Sequence, residues 1–228
     1  MVFDLGVDSD PNNQDSFVQM ALELGFTGFA SHTVAVGPEQ QIESNFSILK
    51  RTDISGRGLK SIRKKVDSVR RHSMIVSVPL SAVEIANWAA EDPRVDLLTL
   101  GQSHEQRLRD STSRLAATFG TALEVRFAPL MHLTGLNRSK VIKFYRESIQ
   151  TATSSGMQVI LSSGATHPLN MRSATAIRYI GELLGMETKL AGYAINKAPF
   201  DIVERNRNRL SSDYVMEGVE ILTRGSEK

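Results

Sequence analysis

The chain has 228 residues, no cysteine and a formal net charge of +2 at pH 7. The lack of cysteine excludes disulfide bonds, thiolate metal ligands and a cysteine nucleophile. No apolar run reaches the roughly 18 residues that a membrane-spanning helix needs, and the N-terminus lacks a basic region followed by an apolar one. We therefore expect a cytoplasmic protein with no membrane partner.

Short β-rich segments alternate with helical segments along the chain. The predicted strands span residues 2–7, 27–34, 46–54, 74–78, 95–100, 122–127 and 157–161. Helices are predicted near residues 13–24, 57–71, 80–90, 103–119 and 138–154. Only a short segment joins the second and third strands, so we expect one irregular connection. Such alternation is typical of parallel strands joined by right-handed crossovers.

The last third of the chain adds helices with recognisable ends. Ser173 is placed to cap a helix that Gly185 ends, Thr188 to cap the next, and Pro199 to occupy the first turn of a third. We predict one α/β domain, a TIM-barrel-like (β/α) barrel of about seven strands over residues 1–203. Residues 204–228 form a C-terminal extension whose VMEGVEIL segment is a candidate for a missing strand. An open, doubly wound sheet is the structural alternative.

The charges are distributed unevenly along the sequence. Residues 1–49 contain seven acidic residues and no Lys or Arg, whereas residues 50–71 contain nine basic and two acidic residues. An excess of seven positive charges within 22 residues indicates a surface for a polyanion. The alternative is an ordinary solvated helix face.

Polar residues gather where the predicted strands end, which is where barrel proteins usually place their chemistry. A candidate Zn, Mn or Fe site there comprises His32, His104, His132, His167, Asp4 and Asp8. No His-x-His pair occurs among them, and a histidine taken alone is more often a surface or hydrogen-bonded structural residue than a metal ligand. Glu124 and Arg126 lie two apart on one strand, so we expect them to face the same side and neutralise each other.

The stretch VILSSGATHPLNMR, residues 159–172, raises the question of a serine nucleophile. It lacks the G-x-S-x-G elbow, and its histidine lies in the same loop instead of coming from another strand. We interpret the loop as a rim that meets an anion or a partner. The rim residues are Ser162, Ser163, Gly164 and His167.

Two segments resemble PHP-type metal-dependent phosphoesterases. The sequence DLGVDS, residues 4–9, is similar to the D-L-H-x-H-S strand of that group, with Gly6 and Asp8 in place of two ligand histidines. ALELGF and FASH, residues 21–26 and 29–32, resemble a second motif in which His32 is retained and Ser31 replaces an acid. This resemblance favours a barrel and weakens the case for the enzyme.

A more extensive resemblance is to the barrel-shaped protein subunits of archaeal and eukaryotic ribonuclease P. It rests on residues 159–203, on EVRFAPL at 124–130 and on EDPRVD at 91–96. The chain departs from the family pattern at Ser173-Ala174, where Gly-Pro is common, and at residues 196–199, where a simpler Asn-Pro element is usual. No counterpart is evident for residues 204–228.

The resemblance implies a non-catalytic subunit of a ribonucleoprotein endonuclease that matures the 5′ end of precursor tRNA. Catalysis is then carried by the RNA subunit with Mg²⁺, and this chain binds no cofactor. The implied partners are the RNA, a small αβ protein subunit in a heterodimer or heterotetramer, other ribonuclease P proteins and the precursor tRNA. The residues expected to contact RNA are Lys60, Arg63, Lys64, Lys65, Arg70 and Arg71, with Arg172 and Arg178 as second choices. The alternatives are a PHP-type phosphoesterase and a module that binds a small phosphorylated metabolite.

Overall fold

The computed structural model describes residues 1–34, 37–43, 45–103, 106–211, 214–216 and 219–220. Its strands are β1 (Phe3–Asp4), β2 (Gly28–Ser31), β3 (Glu39–Glu43), β4 (Phe46–Asp53), β5 (Ile75–Pro79), β6 (Leu97–Thr99), β7 (Ala122–Arg126), β8 (Val159–Ser162), β9 (Tyr214–Met216) and β10 (Val219–Glu220). Its helices are α1 (Gln14–Glu23), α2 (Leu59–Val69), α3 (Val83–Glu91), α4 (Asp110–Phe119), α5 (Ala128–His132), α6 (Gly135–Ser154), α7 (Ala174–Leu183), α8 (Thr188–Asn196) and α9 (Ala198–Leu210).

Seven parallel strands form a nearly closed barrel in the order β1-β2-β4-β5-β6-β7-β8. The two ends of this sheet meet through Ser163, whose backbone N–H donates to Asp4 Oδ1 at 3.1 Å, and Asp8, whose N–H donates to the Ala165 carbonyl at 2.9 Å. The predicted (β/α) barrel is thus confirmed. The irregular connection is confirmed too, because β3 joins β2 to β4 and pairs antiparallel with β4.

The barrel interior is layered because alternate residues of each strand point inward. Towards the N-terminal end of the strands lies an apolar layer, which comprises Phe3, Leu5, Ala30, Leu49, Ile75, Leu97, Ala122 and Ile160. Helix α9 closes this end with Ala198, Ile202 and Val203. A second hydrophobic core fills the space between the sheet and the outer helices.

Polar contacts fasten α9 to the N-terminal end of the barrel. Asp96 is fully buried and accepts hydrogen bonds from Asn206 Nδ2 at 2.8 Å, Arg205 Nη2 at 3.1 Å and Arg70 Nη1 at 2.6 Å. Burial alone would raise the pKa of Asp96, but Arg70 and Arg205 outweigh it and lower that pKa. Helix α9 runs from Ala198 to Leu210 and so continues past residue 203, the predicted end of the barrel domain.

The local signals at the later helices are mostly confirmed. Ser173 Oγ accepts a hydrogen bond from Ala176 N at 3.3 Å, Gly185 follows α7 with a φ of +92°, and Pro199 lies in the first turn of α9. The predicted cap at Thr188 is wrong, because Thr188 is the first helical residue and Glu187 precedes it. In the tail, β9 and β10 pair with each other, so their described residues do not supply a barrel strand.

Candidate functional site

Helix α2 presents a row of basic residues to solvent. Its apolar Ile62 and Val66 are buried against the barrel, and at 100° per residue Lys60 and Lys64 lie on the opposite side. Arg71 lies in the 3-10 turn that follows the helix. All three are exposed. We call Lys60, Lys64 and Arg71 the α2 basic face. The nearby Asp67 carboxylate accepts a hydrogen bond from Arg94, whose guanidinium also donates to Asp92.

Three other predicted RNA-contact residues of this segment have intramolecular partners. The Arg63 guanidinium lies 5.5 Å from the centre of the Trp88 ring, and Lys65 Nζ donates to the Ser55 carbonyl at 2.5 Å. Both side chains remain exposed. Arg70 is different: it is 6% exposed and donates to the Ser73 and Met74 carbonyls as well as to Asp96. The structure therefore removes Arg70 from the predicted RNA surface, because its charge is already used inside the fold.

The structure does not bring Arg172 and Arg178 together with α2. Helix α2 follows β4, whereas both arginines follow β8, four strands further round the barrel. Arg172 Nη1 donates to the Leu169 and Met171 carbonyls at 2.8 and 2.6 Å. Arg178 Nη1 donates to Glu182 Oε1 at 2.8 Å, so its charge is partly compensated. These two residues form a separate and weaker candidate surface.

The polar layer of the barrel interior is built around one carboxylate, that of Glu124, which is fully buried. Arg51, 1% exposed, donates from Nη1 and Nη2 to its two oxygens, each at 2.6 Å. Thr99 and Ser162 donate their hydroxyls to it at 2.8 Å each. Arg126 Nε adds a contact at 3.2 Å, which confirms the expected Glu124–Arg126 pair. This carboxylate has no capacity left for another ligand.

Asp53 completes the network towards solvent. Its Oδ1 accepts from Arg51 Nε at 2.7 Å, its Oδ2 accepts from Arg126 Nη2 at 2.8 Å, and His32 Nε2 lies 3.5 Å away. Burial alone would raise the pKa of Asp53, but His32 and the two arginines lower it well below its usual range. Arg126 and Arg51 likewise overcome burial and lower the pKa of Glu124 to about 2. Two arginines thus balance two carboxylates at neutral pH.

The serine loop lies inside this network instead of on its surface. Ser162 and Ser163 are both fully buried. The first hydroxyl donates to Glu124, and the second residue bonds through its backbone to Asp4. This corrects the expectation that these two side chains meet an anion or a partner. Gly164 is half-buried at the end of β8, and His167 is exposed with its Nδ1 accepting from Leu169 N at 3.2 Å.

The histidines of the candidate metal site have separate partners. His32 faces Asp53 and His132 Nε2 lies 3.4 Å from Asn170 Nδ2, while His104 falls outside the described residues. Within the described ranges, no group of three His, Asp or Glu side chains is arranged to hold a metal ion.

Two further positions that matter for the metal hypothesis, Asp4 and Gly6, are in close contact with other residues of the barrel. Asp4 is buried, with Oδ1 accepting from Gly6 N and Ser163 N, and burial raises its pKa. A β-carbon at Gly6 would lie 2.6 Å from Ser162 Oγ and 2.9 Å from Glu124 Oε1. The space that a ligand histidine would need at Gly6 is therefore filled.

Sequence reasoning missed Arg51 and Asp53 as members of this site. Both lie within the basic segment that was interpreted as surface, yet they alternate along β4 and so face the interior together. The same period-two rule had already paired Glu124 with Arg126. Applied to both strands, it would have predicted two facing acid–base pairs.

Comparison with known proteins defines the class to which this fold and site belong. The family model described as RNase P subunit p30 matches residues 1–211. The chain therefore belongs to the RNase P subunit p30 family. It is 25% identical to a Ribonuclease P protein component 3 of Methanosarcina barkeri. This alignment spans 220 residues and covers 94% of this chain and 91% of that protein. A protein of the same name from Methanothermobacter thermautotrophicus is 25% identical over 187 residues, which cover 81% of this chain and 74% of that protein.

Solved structures show the same fold. A chain of the cryo-EM structure of archaeal Ribonuclease P with mature tRNA superposes with a TM-score of 0.81 at 18% identity, covering 99% of this chain and all of that one. A Xaa-Pro dipeptidase superposes with a TM-score of 0.54 at 11% identity, and the superposition covers 90% of this chain and 75% of that one. Among the described helices, none has the length and apolar character needed to cross a membrane.

Proposed function

We propose that this chain is a non-catalytic protein subunit of the ribonuclease P ribonucleoprotein and supports the catalytic RNA in 5′-end maturation of precursor tRNA. The match of the RNase P subunit p30 model to residues 1–211 is the observation that carries the proposal. The relatives named Ribonuclease P protein component 3 support it. So does the shared fold with a chain of archaeal Ribonuclease P.

The contacts at the barrel mouth support the proposal that this chain contributes no chemistry of its own to phosphodiester cleavage. A metal-dependent phosphoesterase needs carboxylates and imidazoles that are free to bind cations. Here Glu124 and Asp53 are held by Arg51 and Arg126, and Gly6 has no room for a side chain. These contacts favour the ribonucleoprotein subunit over the PHP-type phosphoesterase. The Mg²⁺ that cleavage requires then belongs to the RNA.

The α2 basic face is the proposed RNA surface, flanked by Arg63 and Lys65. Basic side chains at this spacing neutralise phosphates and release counterions, which gives affinity without reading sequence. The acidic N-terminal 49 residues lie in a different part of the chain and are suited to solvent or protein contacts.

The same proposal includes the partners and the compartment. We place this chain beside a small αβ ribonuclease P protein in a heterodimer that can pair into a heterotetramer, together with the other ribonuclease P proteins. The complex acts on precursor tRNA in the cytoplasm. Co-purification of the αβ subunit with this chain tests the pairing, and cell fractionation tests the compartment.

Reconstitution tests the function itself. Precursor-tRNA cleavage by the RNA subunit and the remaining proteins is measured at low Mg²⁺ with and without this chain. We expect cleavage to depend on the chain at low Mg²⁺ and to approach independence at high Mg²⁺, where cations replace protein charge. Cleavage by the purified chain alone, or equal cleavage with and without it at low Mg²⁺, contradicts the proposal.

A further inference from the structure

A groove of about 490 Å³ lies at the N-terminal end of the barrel, between the turn that follows α2 and the C-terminal end of α9. Arg71 lines the groove and also belongs to the α2 basic face, so the two surfaces adjoin. Clustered basic residues are typical of a surface for a polyanion. The described residues that line the groove are Arg70, Arg71, Arg209, Leu210, Ser211 and Tyr214.

Arg209 is held beside the groove by an uncharged acceptor. It lies in the last turn of α9, is half-buried, and donates from Nη1 to the Pro93 carbonyl at 2.8 Å. This bond fixes the guanidinium without neutralising its charge, and a guanidinium has further N–H groups to donate. Neither Arg209 nor Arg71 forms an ion pair with a carboxylate of the described residues. Both charges are therefore available to an anion in the groove.

The buried contacts beneath the groove do not supply enough negative charge to balance it. Arg70 and Arg205 share a single carboxylate, that of Asp96. Arg94 is bound by two carboxylates, and its carbonyl accepts from Arg70 Nη1 at 3.1 Å. The groove lining and these contacts thus bring together five arginines and three carboxylates of the described residues. They are Arg70, Arg71, Arg94, Arg205 and Arg209, with Asp67, Asp92 and Asp96.

We propose that this groove binds the phosphate backbone of RNA through Arg71 and Arg209, as a continuation of the α2 basic face. This inference rests on the proposed RNA-supporting function and adds a second element, the end of α9, to the RNA surface. Guanidinium groups match the geometry of phosphate, and phosphate contacts fix the position of an RNA without reading its sequence. The competing role for Arg209 is to offset the dipole at the C-terminal end of α9.

The salt dependence of RNA binding separates these two roles. Affinity of the full-length chain for the ribonuclease P RNA is measured over a range of salt concentrations, so that every carboxylate of the tail, Asp213 included, is present. Arg209→Gln should reduce the slope of log affinity against log salt by about one, as loss of one phosphate contact implies. Arg209→Lys keeps the charge and should retain the wild-type slope. Arg114→Gln is the matched control, because Arg114 is exposed on α4, outside the groove, and should also leave the slope unchanged.

Arginine modification by phenylglyoxal, read by mass spectrometry, gives a second test on the wild-type chain. We expect modification of Arg71 and Arg209 to fall when the RNA is added and to stay unchanged when only the other ribonuclease P proteins are added. Protection by the proteins without RNA would make the groove a protein interface and would overturn the proposal.

The two tests distinguish failure of the groove from failure of the proposed function. If Lys60→Glu with Lys64→Glu lowers the salt slope but Arg209→Gln does not, the groove is wrong and the RNA-supporting function stands. An unchanged slope with a lowered thermal midpoint in Arg209→Gln assigns Arg209 to the end of α9 alone. A wild-type chain whose RNA affinity does not depend on salt contradicts the proposed function and the groove together.

Discussion

Replacing Arg51 by Met should destabilise the barrel more than any surface substitution. Arg51 is 1% exposed and donates from all three guanidinium nitrogens, to Glu124, to Asp53 and to the Leu5 carbonyl. Met has a similar length and an apolar side chain, so it leaves the Glu124 carboxylate buried with only part of its compensation. Removing one partner of a buried ion pair costs about 3–5 kcal/mol.

That loss is measurable by thermal and urea unfolding, followed by circular dichroism and by the fluorescence of the single tryptophan, Trp88. For a chain of this size, about 3–5 kcal/mol corresponds to a fall of roughly 6–20 °C in the thermal midpoint. Arg57→Met is the matched control, because Arg57 is exposed, and we expect a change within about 0.5 kcal/mol.

A double-mutant cycle separates the pair from general packing effects. The double variant Arg51→Met, Glu124→Leu removes both charges, so it should cost much less than the sum of the two single variants. A coupling energy near zero, or an Arg51→Met variant as stable as Arg57→Met, would refute the reasoning that the charge network organises the barrel interior.

Three further predictions concern the same network. Gly6→Ala should destabilise the fold by about 1–3 kcal/mol, since its β-carbon would lie 2.6 Å from Ser162 Oγ; a wild-type thermal midpoint would disprove this. The folded pKa of Glu124 is about 2, below its ordinary 4.5. Its ionised carboxylate should therefore add about 3 kcal/mol to the free energy of unfolding above pH 4.5, and this stabilisation is lost as the pH falls through 2. Urea unfolding of Glu124→Gln should show a correspondingly weaker acid dependence, and identical slopes would exclude this origin. Asp53 raises the folded pKa of His32 above 6.5. Wild type should therefore be more stable than His32→Gln below pH 6.5, by less than about 1 kcal/mol at this exposed site, and the difference should disappear as the pH rises through the folded pKa. A stability difference that grows with pH would contradict the pairing.

The sequence predicted the barrel well because its signals are local and repeated. Strand alternation, helix spacing and caps such as Ser173 each depend on a few neighbouring residues, and all of them agree on a (β/α) fold. These local signals do not show which residues on distant strands an individual side chain will contact.

The corrected site residues illustrate this limit. Arg70 and Lys64 belong to the same basic segment of the sequence, but Arg70 begins the turn after α2 and donates to Asp96, the residue before β6. Ser162 similarly meets Glu124, 38 residues away. Such pairings depend on strand order and register, which become visible only once the barrel closes. The Arg51–Glu124 bond joins positions 73 residues apart for the same reason.

The α2 basic face offers the sharpest test of how the chain supports RNA. Reversing its charges with Lys60→Glu, Lys64→Glu and Arg71→Glu should reduce the slope of log affinity against log salt by about three, roughly one for each lost phosphate contact. A control with the same change in net charge reverses three exposed residues on other helices. These residues are Arg114, Lys140 and Lys189.

The most direct measurement is the Mg²⁺ concentration that gives half-maximal precursor-tRNA cleavage in the fully reconstituted complex. The complex with the wild-type chain and the one with the control variant should share a low requirement. The variant of the α2 basic face should shift the requirement towards that of a complex lacking this chain. An unchanged requirement, together with an unchanged salt slope, would contradict the account of this chain as an electrostatic support for the catalytic RNA.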